Sequence, residues 1–552
     1  MLNKNNITKI QQSVILGCLS SLLSNLPALG AEQIYFSSPL GELTIPVNSL
    51  EEYARSGKID SELAFYTQFT SKSEFKQLRE FLQARVNLNE VAISQFLYSS
   101  MGKIALKNLG EYVQNDSHQN GFYALRSALI LSAASHDSLN LIEVLKKFPS
   151  RSIRIDSDAL FKIFGAFSQL VEKTKQANLL VQEKSEIEAN KQIVQNQDEL
   201  PKLVYNKWQK QTLKLNDQKR KRAFVTDLYL PELPQKASVI VISHGFGSDR
   251  TDFVYLAEHL VSHGFAVAVL EHPGSNTSNL ETFIRGATRE VVEANEFINR
   301  PQDISFLLDY LQQLNQSDSA FQNRFNLEKV GAIGHSFGGY TVMALAGAKI
   351  NIPFIKQQCR ADNFNLNATN ASYLLLCITQ KLKEKSIPDL KDKRIQAVFA
   401  INPVSGGVFG ETGLLPVEIP VMFAASSNDA VAPALLEQIC PFTWLNTPNK
   451  YLALNQNGTH SDANQNSMRS VLPFTPEIAS PNPKLARSYY KSLSLAFAKT
   501  YIAGELQYSN YLAPSYVQKM SQPSMPLKIL RELTSEQLSK SLNFSCPGAM
   551  DK

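Results

Sequence analysis

Past its N-terminal segment, this chain has no apolar run long enough to span a bilayer, no long block of like charge and no internal repeat. That argues against a membrane-embedded protein, a nucleic-acid-binding tail and a repeat array. Cysteine is scarce, five among 552 residues, and no Cys–His spacing suggests a metal site. The one basic run, Lys219-Arg-Lys-Arg222, falls at an expected hairpin turn. It reads as a solvated turn rather than a nucleic-acid or anionic-lipid patch. What is left is an ordinary globular composition, 43% hydrophobic and 19% charged, with a net charge of +5. The length has room for two or three domains.

The N-terminus reads as an export signal. Lys4 and Lys9 precede an apolar, Ser-containing stretch from Ser13 to Leu29, and Ala28-Leu-Gly-Ala31 offers small residues for cleavage. Residues 1–31 are therefore expected to be removed, leaving a periplasmic or extracellular protein. Ile15-Leu-Gly-Cys18 has the look of a lipoprotein box, but the apolar run before Cys18 is too short for that reading. Cys359, Cys377, Cys440 and Cys546 then remain, an even number that an oxidising compartment can pair. Cys359 and Cys377 close a short loop within one insertion, so the expected bridges are Cys359–Cys377 and Cys440–Cys546.

Residues 32–156 are expected to form a mostly helical N-terminal domain. Its first part, 32–48, reads as a β-hairpin turning near Gly41. Ser49-Leu-Glu-Glu52 has the form of a capping box that would start the first of several amphipathic helices. Phe75, Leu78, Phe81 and Leu82 recur at helical spacing as a core face, and Ser152–Asp156 reads as a strand. Residues 157–202 are polar and lack an uninterrupted apolar face, the pattern of a helical connector.

A second domain is expected over 203–505, with an insertion at about 350–390, and an extension over 506–552. Trp208–Leu215 and Ala223–Leu230 alternate like a hairpin. Ala237–Ser243, Ala266–Leu270, Val330–Ile333, Ala397–Ile401, Val421–Ala425 and Tyr451–Leu454 are short apolar runs separated by helical stretches. Strands alternating with helices give an α/β domain, a mostly parallel sheet with helices on both faces. The hairpin would add antiparallel strands at one edge.

The chemistry concentrates in Gly334-His-Ser-Phe-Gly338, a G-x-S-x-G run between an apolar strand and a helical stretch. In that context the pattern is a nucleophile elbow. Ser336 would stand on a tight turn, and glycines on both sides would let strand and helix approach closely. The base and acid follow the nucleophile in this arrangement. Only one of the eight histidines, His460, comes after Ser336. Eight carboxylates lie between them: Asp362, Glu384, Asp389, Asp392, Glu411, Glu418, Asp429 and Glu437. Asp429 alone directly follows a convincing apolar strand. The preceding strand ends in Asn402-Pro403, whose amide carries no charge to offer an imidazolium. Ser336, His460 and Asp429 are therefore the expected nucleophile, base and acid. His244-Gly-Phe-Gly247, after the first buried strand, would supply the Phe246 N–H as an oxyanion donor beside that of Phe337. His244 and His335 are expected in structural roles, and His272 at the pocket lining.

Ser243-His-Gly-Phe-Gly-Ser248, Glu271-His-Pro-Gly-Ser275, the elbow, Asn428-Asp-Ala-Val-Ala-Pro433 and Gly458-Thr-His460 together resemble α/β-hydrolases. The likeness is to those near the platelet-activating-factor acetylhydrolases and dienelactone-hydrolase-like proteins. With the helical domain after Ala31-Glu-Gln-Ile-Tyr35, the chain is similar to a cyanobacterial subfamily of predicted secreted hydrolases. The resemblance implies the α/β-hydrolase fold and a secreted serine hydrolase of carboxylic esters, with short acyl groups or lipids as substrates. It implies no metal and no organic cofactor. The expected partner is a small-molecule or lipid ester, with room for peripheral membrane contact and none for nucleic acid. Two departures limit the carry-over. Dienelactone hydrolases use a Cys nucleophile where this chain has Ser336, and the animal acetylhydrolases carry their acid one strand earlier than Asp429. The Asn-Asp-x-x-Ala-Pro pattern is also similar to cutinase-like polyester hydrolases. Competing readings are such a polyester hydrolase, a peptidase, or a binding protein with a degenerate hydrolase domain. Phe354, Leu374, Leu375 and Leu376 of the insertion either serve an acyl chain or are buried within it.

Overall fold

The computed structural model describes residues 30–550 apart from 39–40, 69, 87, 137, 192–199, 201–206, 361–369 and 467–479. The expected export signal, through residue 29, lies outside them. The chain forms two compact units, Met1–Tyr98 with Gly102–Phe161, and Ser99–Met101 with Lys162–Lys552.

In the first unit, β1 (Gln33–Ser38) and β2 (Gly41–Pro46) pair antiparallel as the expected hairpin. Two short pieces, β3 (Arg85–Val86) and β5 (Leu139–Asn140), pair with each other. β6 (Ser152–Asp156) lies parallel to β1 and antiparallel to β4 (Val113–Asn115). The strand read at Ser152–Asp156 thus sits inside a sheet ordered β2-β1-β6-β4. Helices cover the sheet's apolar side. Val47, Leu50, Tyr53, Phe75 and Leu125 share one core with Ile34.

Two details differ from the sequence reading. The first helix runs Val47–Ser56, with Pro46 at its N-cap and no side-chain cap; Ser49 is buried inside it. The Val47 N–H donates to the Glu32 carbonyl at 2.9 Å, so the sheet sets the start and the Ser49/Glu52 box is not used. Phe81 is 64% exposed. It stands six positions from Phe75, about a third of a turn off the buried face, whereas Leu82 returns to that face.

The second unit is built on a nine-stranded sheet ordered β15-β14-β13-β12-β11-β9-β10-β8-β7. Its hairpin, β7 (Trp208–Asp217) and β8 (Arg222–Pro231), forms one antiparallel edge. Six strands then run parallel: β9 (Ala237–Ser243), β10 (Ala266–Leu270), β11 (Phe325–His335), β12 (Ile395–Ile401), β13 (Val421–Ser426) and β14 (Lys450–Asn455). Val239, Val241, Val267, Val398 and Phe423 are fully buried, because helices cover both faces. β15 (Leu527–Leu530) closes the far edge antiparallel to β14, a strand not anticipated in the C-terminal extension.

The long helix Ser157–Lys191, read as a connector, belongs from Lys162 onward to this second unit. Its C-terminal half is fastened to β15. Glu188 accepts from the Arg531 and Glu532 N–H groups, Ser185 from the Ile529 N–H, and Glu186 pairs with Lys528 at 2.8 Å. These bonds satisfy the outward N–H groups of an edge strand that would otherwise be open. Disulfides join Cys359 to Cys377 and Cys440 to Cys546, the pairs expected. Among the described residues no helix is long and apolar enough to cross a membrane.

Candidate active site

Parallel strands place all their following loops at one edge of the sheet. β11 ends at His335, and Ser336 alone separates it from the helix Phe337–Leu345. Ser336 has φ 54° and ψ −117°, a region that a residue with a Cβ seldom holds. Its neighbours permit this. A Cβ on Gly334 would stand 2.0 Å from the Gly338 carbonyl oxygen, and one on Gly338 would stand 2.0 Å from that of Ser243. The Ser336 N–H donates to the Ile401 carbonyl at 2.9 Å, and the Ser336 carbonyl accepts from the Tyr340 N–H at 3.1 Å. The turn is thus clamped between β12 and its own helix.

Three side chains read from separate stretches meet at this turn. His460 Nε2 lies 2.8 Å from Ser336 Oγ, and His460 Nδ1 lies 2.7 Å from Asp429 Oδ2. All three residues are buried. Asp429 Oδ1 accepts from the Val431 and Ala432 N–H groups at 2.8 and 2.7 Å, so the loop after β13 turns its own carboxylate inward. His460 follows β14 on a loop shaped by Asn457, at φ 63°, and by a capping box between Thr459 and Asp462. With the carboxylate on Nδ1, the neutral ring carries its proton there and leaves Nε2 free to accept from the Ser336 hydroxyl.

The loop bearing Phe246 also reaches this point. A Cβ on Gly245 would lie 3.3 Å from Ser336 Cβ and 3.0 Å from His335 Nδ1. Gly247, at φ 69°, turns the loop back, and its N–H donates to the Ser275 carbonyl at 2.9 Å. Phe337 opens the elbow helix with its ring fully buried, 4.7 Å from that of Phe297.

Matches to known families fall in both units, over part of the second. Residues 238–354 fit the family described as alpha/beta hydrolase fold, and residues 30–156 fit the one described as alpha/beta hydrolase of unknown function (DUF1400). The chain is an α/β hydrolase. Among curated relatives it is similar to cutinase est2 of Thermobifida alba, 25% identical over 140 residues, covering 25% of this chain and 39% of that protein. It is similar also to the platelet-activating factor acetylhydrolase of Bos taurus, 27% identical over 140 residues, covering 20% of this chain and 32% of that protein. The chain therefore spans well under half the length of the relatives it matches.

Around its Ser–His–Asp chain the hydrolase has a second layer of buried polar groups. His335 Nε2 donates to the His460 carbonyl at 2.8 Å. Burial and the neighbouring His460 lower its pKa to about 3, so it is a neutral prop beside Ser336. Asn402, at φ 44°, donates from Nδ2 toward Ser426 Oγ at 3.2 Å and the Thr459 carbonyl at 3.3 Å. The amide at this position thus bridges the end of β13, just before the Asp429 loop, to the loop carrying His460. His244 Nδ1 bonds the Gly245 carbonyl at 2.7 Å, and its Nε2 accepts from the His272 N–H at 3.0 Å, shaping the loop. His272 does not line a pocket as expected. It is fully buried between Ser243 Oγ and Asp303 Oδ2, each 3.0 Å away, because Asp303 offers its ring a partner under the sheet edge.

Sequence reasoning missed two groups. Arg300 is fully buried on the helix Glu296–Ser317. It donates to Thr341 Oγ1 on the elbow helix, to Ser275 Oγ, to Ser243 Oγ and to the His244 carbonyl, and lies 4.6 Å from the centre of the Phe337 ring. All four acceptors are neutral, and burial lowers its pKa to about 9. Nothing in the local sequence marks it, since its partners come from three separate stretches, Ser243–His244, Ser275 and Thr341. Glu437 is the other. It is buried and accepts from the Ser405 and Gly406 N–H groups at 2.8 and 2.9 Å and from Asn370 Nδ2 at 2.7 Å. It ties the insertion to the loop after β12 and is not the acid. The Ser372 N–H adds a bond to the Val431 carbonyl, two residues past Asp429, at 2.9 Å. Leu375 and Leu376 are buried, Leu376 lies against Gly407, and the ring of Phe354 packs on Gly410 and Gly548, so these residues pack the insertion onto the rest of the unit.

Proposed function

We propose that this α/β hydrolase is an exported serine hydrolase that cleaves carboxylic esters through an acyl-enzyme. The observation that carries the reading is the chain Ser336 Oγ, His460 Nε2, His460 Nδ1, Asp429 Oδ2, held by bonds of 2.8 and 2.7 Å at a strained strand-to-helix turn. Ser336 Oγ attacks the ester carbonyl carbon while His460 Nε2 takes its proton. Asp429 keeps the ring oriented and stabilises its charged form. The carbonyl oxygen, now an oxyanion, faces the Phe246 and Phe337 N–H groups. Collapse of the adduct returns the proton to the leaving alcohol. Water then attacks the acyl-Ser336 ester with His460 again as base, and the carboxylic acid leaves. The ester class is supported by relatives named for hydrolysing cutin and an acetyl group. Export is supported by the two disulfides and by the signal-like N-terminus.

The test is the initial rate on p-nitrophenyl acetate for the wild type and Ser336→Ala. The account expects a Ser336-dependent rate that falls at least about a thousandfold in the variant. Undiminished ester hydrolysis by Ser336→Ala refutes it.

A further inference from the structure

The long helix Ser157–Lys191 does more than pack on the sheet edge. Its second half is fastened to β15 through Ser185, Glu186 and Glu188. Its middle, Leu170–Leu179, stands off from the loops that follow β13 and β14 and leaves a cavity of about 550 Å³. That size suits a small organic ligand. One wall is Ser427–Ala430, the loop that carries Asp429, and another is Gln456–Asn457, just before the His460 turn. The cavity wall is thus one imidazole ring and two hydrogen bonds away from Ser336 Oγ.

The lining has a definite chemistry. Val171 and Leu179 are 52% and 55% exposed, two large apolar side chains kept in water beside the site. Pro433 faces them across the cavity. Helical spacing places Lys175 and Asn178 on the same helix face, and both line the cavity. The one carboxylate among the lining residues is Asp429, whose side chain has 0% exposure and is committed to His460. The cavity therefore offers apolar surface beside one cation, Lys175, and no accessible negative charge. Its apolar part matches an aliphatic chain.

We propose that this cavity is a substrate subsite that binds the aliphatic chain of an amphiphilic ester whose carbonyl is held at Ser336. The assignment rests on the ester-hydrolase reading above and adds to it which kind of ester is preferred. The chain belongs either to the acyl part or to the alcohol part; the chemistry is shared, and kinetics separate the two. Short esters do not extend past the Asp429 loop, so they do not use the cavity.

Binding is tested apart from turnover. A dansyl-labelled long-chain fatty acid is titrated into Ser336→Ala protein by fluorescence, with and without Val171→Asp/Leu179→Asp. Both side chains are more than half exposed, so the changes are compatible with folding, and a thermal melt checks this. Saturable binding is expected, weakened at least about tenfold by the double change and untouched by Ile187→Asp further along the same helix. Absent binding, or binding indifferent to these residues, overturns the subsite whatever the enzyme hydrolyses. With Ser336 intact, kcat/KM for p-nitrophenyl octanoate over acetate, and for octyl acetate over ethyl acetate, is compared between wild type and double variant. One of the two ratios is expected to fall about tenfold, which names the side of the ester that carries the chain. If both ratios stay unchanged while acetate turnover depends on Ser336, the subsite is overturned and the hydrolase reading stands. If no ester is turned over, the hydrolase reading fails and the binding titration still decides the cavity.

Discussion

Both units expose large apolar side chains, Leu506 at 70% in the second and Tyr123 at 77% in the first, but the second also hides charged ones. The second unit's hidden polar residues include Arg300, Asp303, His272, His335 and Glu437, each at most 1% exposed. The first unit's exposed apolar residues include Phe81 at 64% and Tyr98 at 55%. Buried polar groups are costly unless every one finds a partner, so such a cluster is kept where it does something. Here the partners converge on the loops around Ser336. The contrast teaches that function in this chain is marked by what is hidden, and that large exposed side chains alone do not locate the chemistry.

The strongest way to break that contrast is to alter one hidden charge without altering shape. Asp429→Asn keeps the side-chain volume but loses the charge that fixes the His460 tautomer. A fall in kcat of about ten-thousandfold is expected, with the melting temperature nearly unchanged, measured on p-nitrophenyl acetate. Arg300→Met tests the layer beneath. Arg300 holds the His244 carbonyl and the helix Phe337–Leu345 together beside the loop that carries Phe246. A drop of about a hundredfold in kcat with KM little changed is expected, and Arg300→Lys should recover part of it. Equal loss of kcat and stability in both variants would reduce Arg300 to a packing role.

Acid offers a smaller effect that separates the units. Burial holds His244 and His272 well below the usual histidine range and lowers His259 and His335 to about 3. All four lie in the second unit. Because the unfolded chain binds the protons first, their contribution is full above pH 6.5 and shrinks as pH falls toward about 3. Each contributes a slope of at most about 1.4 kcal/mol per pH unit in that window. Both tryptophans, Trp208 and Trp444, belong to the second unit, so their fluorescence reports its unfolding alone. Their midpoint in urea should fall steadily from pH 6.5 to 4. Smallest of all, Tyr123→Ser in the first unit should change stability by less than about 0.5 kcal/mol and leave ester turnover unaltered.

Much of the site was legible because each of its parts has a local signature. Gly334 and Gly338 announce a close approach. His460 stands alone after Ser336, and Asp429 follows an apolar strand. The parallel strands were legible for the same reason, since burial on both faces leaves uninterrupted apolar runs such as Ala237–Ser243. What was not legible depends on pairing at a distance. β15 is a four-residue strand whose identity comes from β14 and from Glu188, more than three hundred positions earlier. Arg300 has no local pattern, because Ser243–His244, Ser275 and Thr341 reach it from three separate stretches. The helix start at Val47 was misread for a related reason: the Ser49/Glu52 box is a correct local signal that the adjoining sheet overrides.

The central claim is that Ser336 is a nucleophile activated by His460. A fluorophosphonate reacts covalently with such a serine, so intact mass and peptide mapping after labelling test the claim directly. The account predicts a single adduct, on the peptide containing Ser336, that disappears in Ser336→Ala and forms far more slowly in His460→Ala. Labelling at another residue, or an adduct on Ser336 whose rate is indifferent to His460, would contradict it.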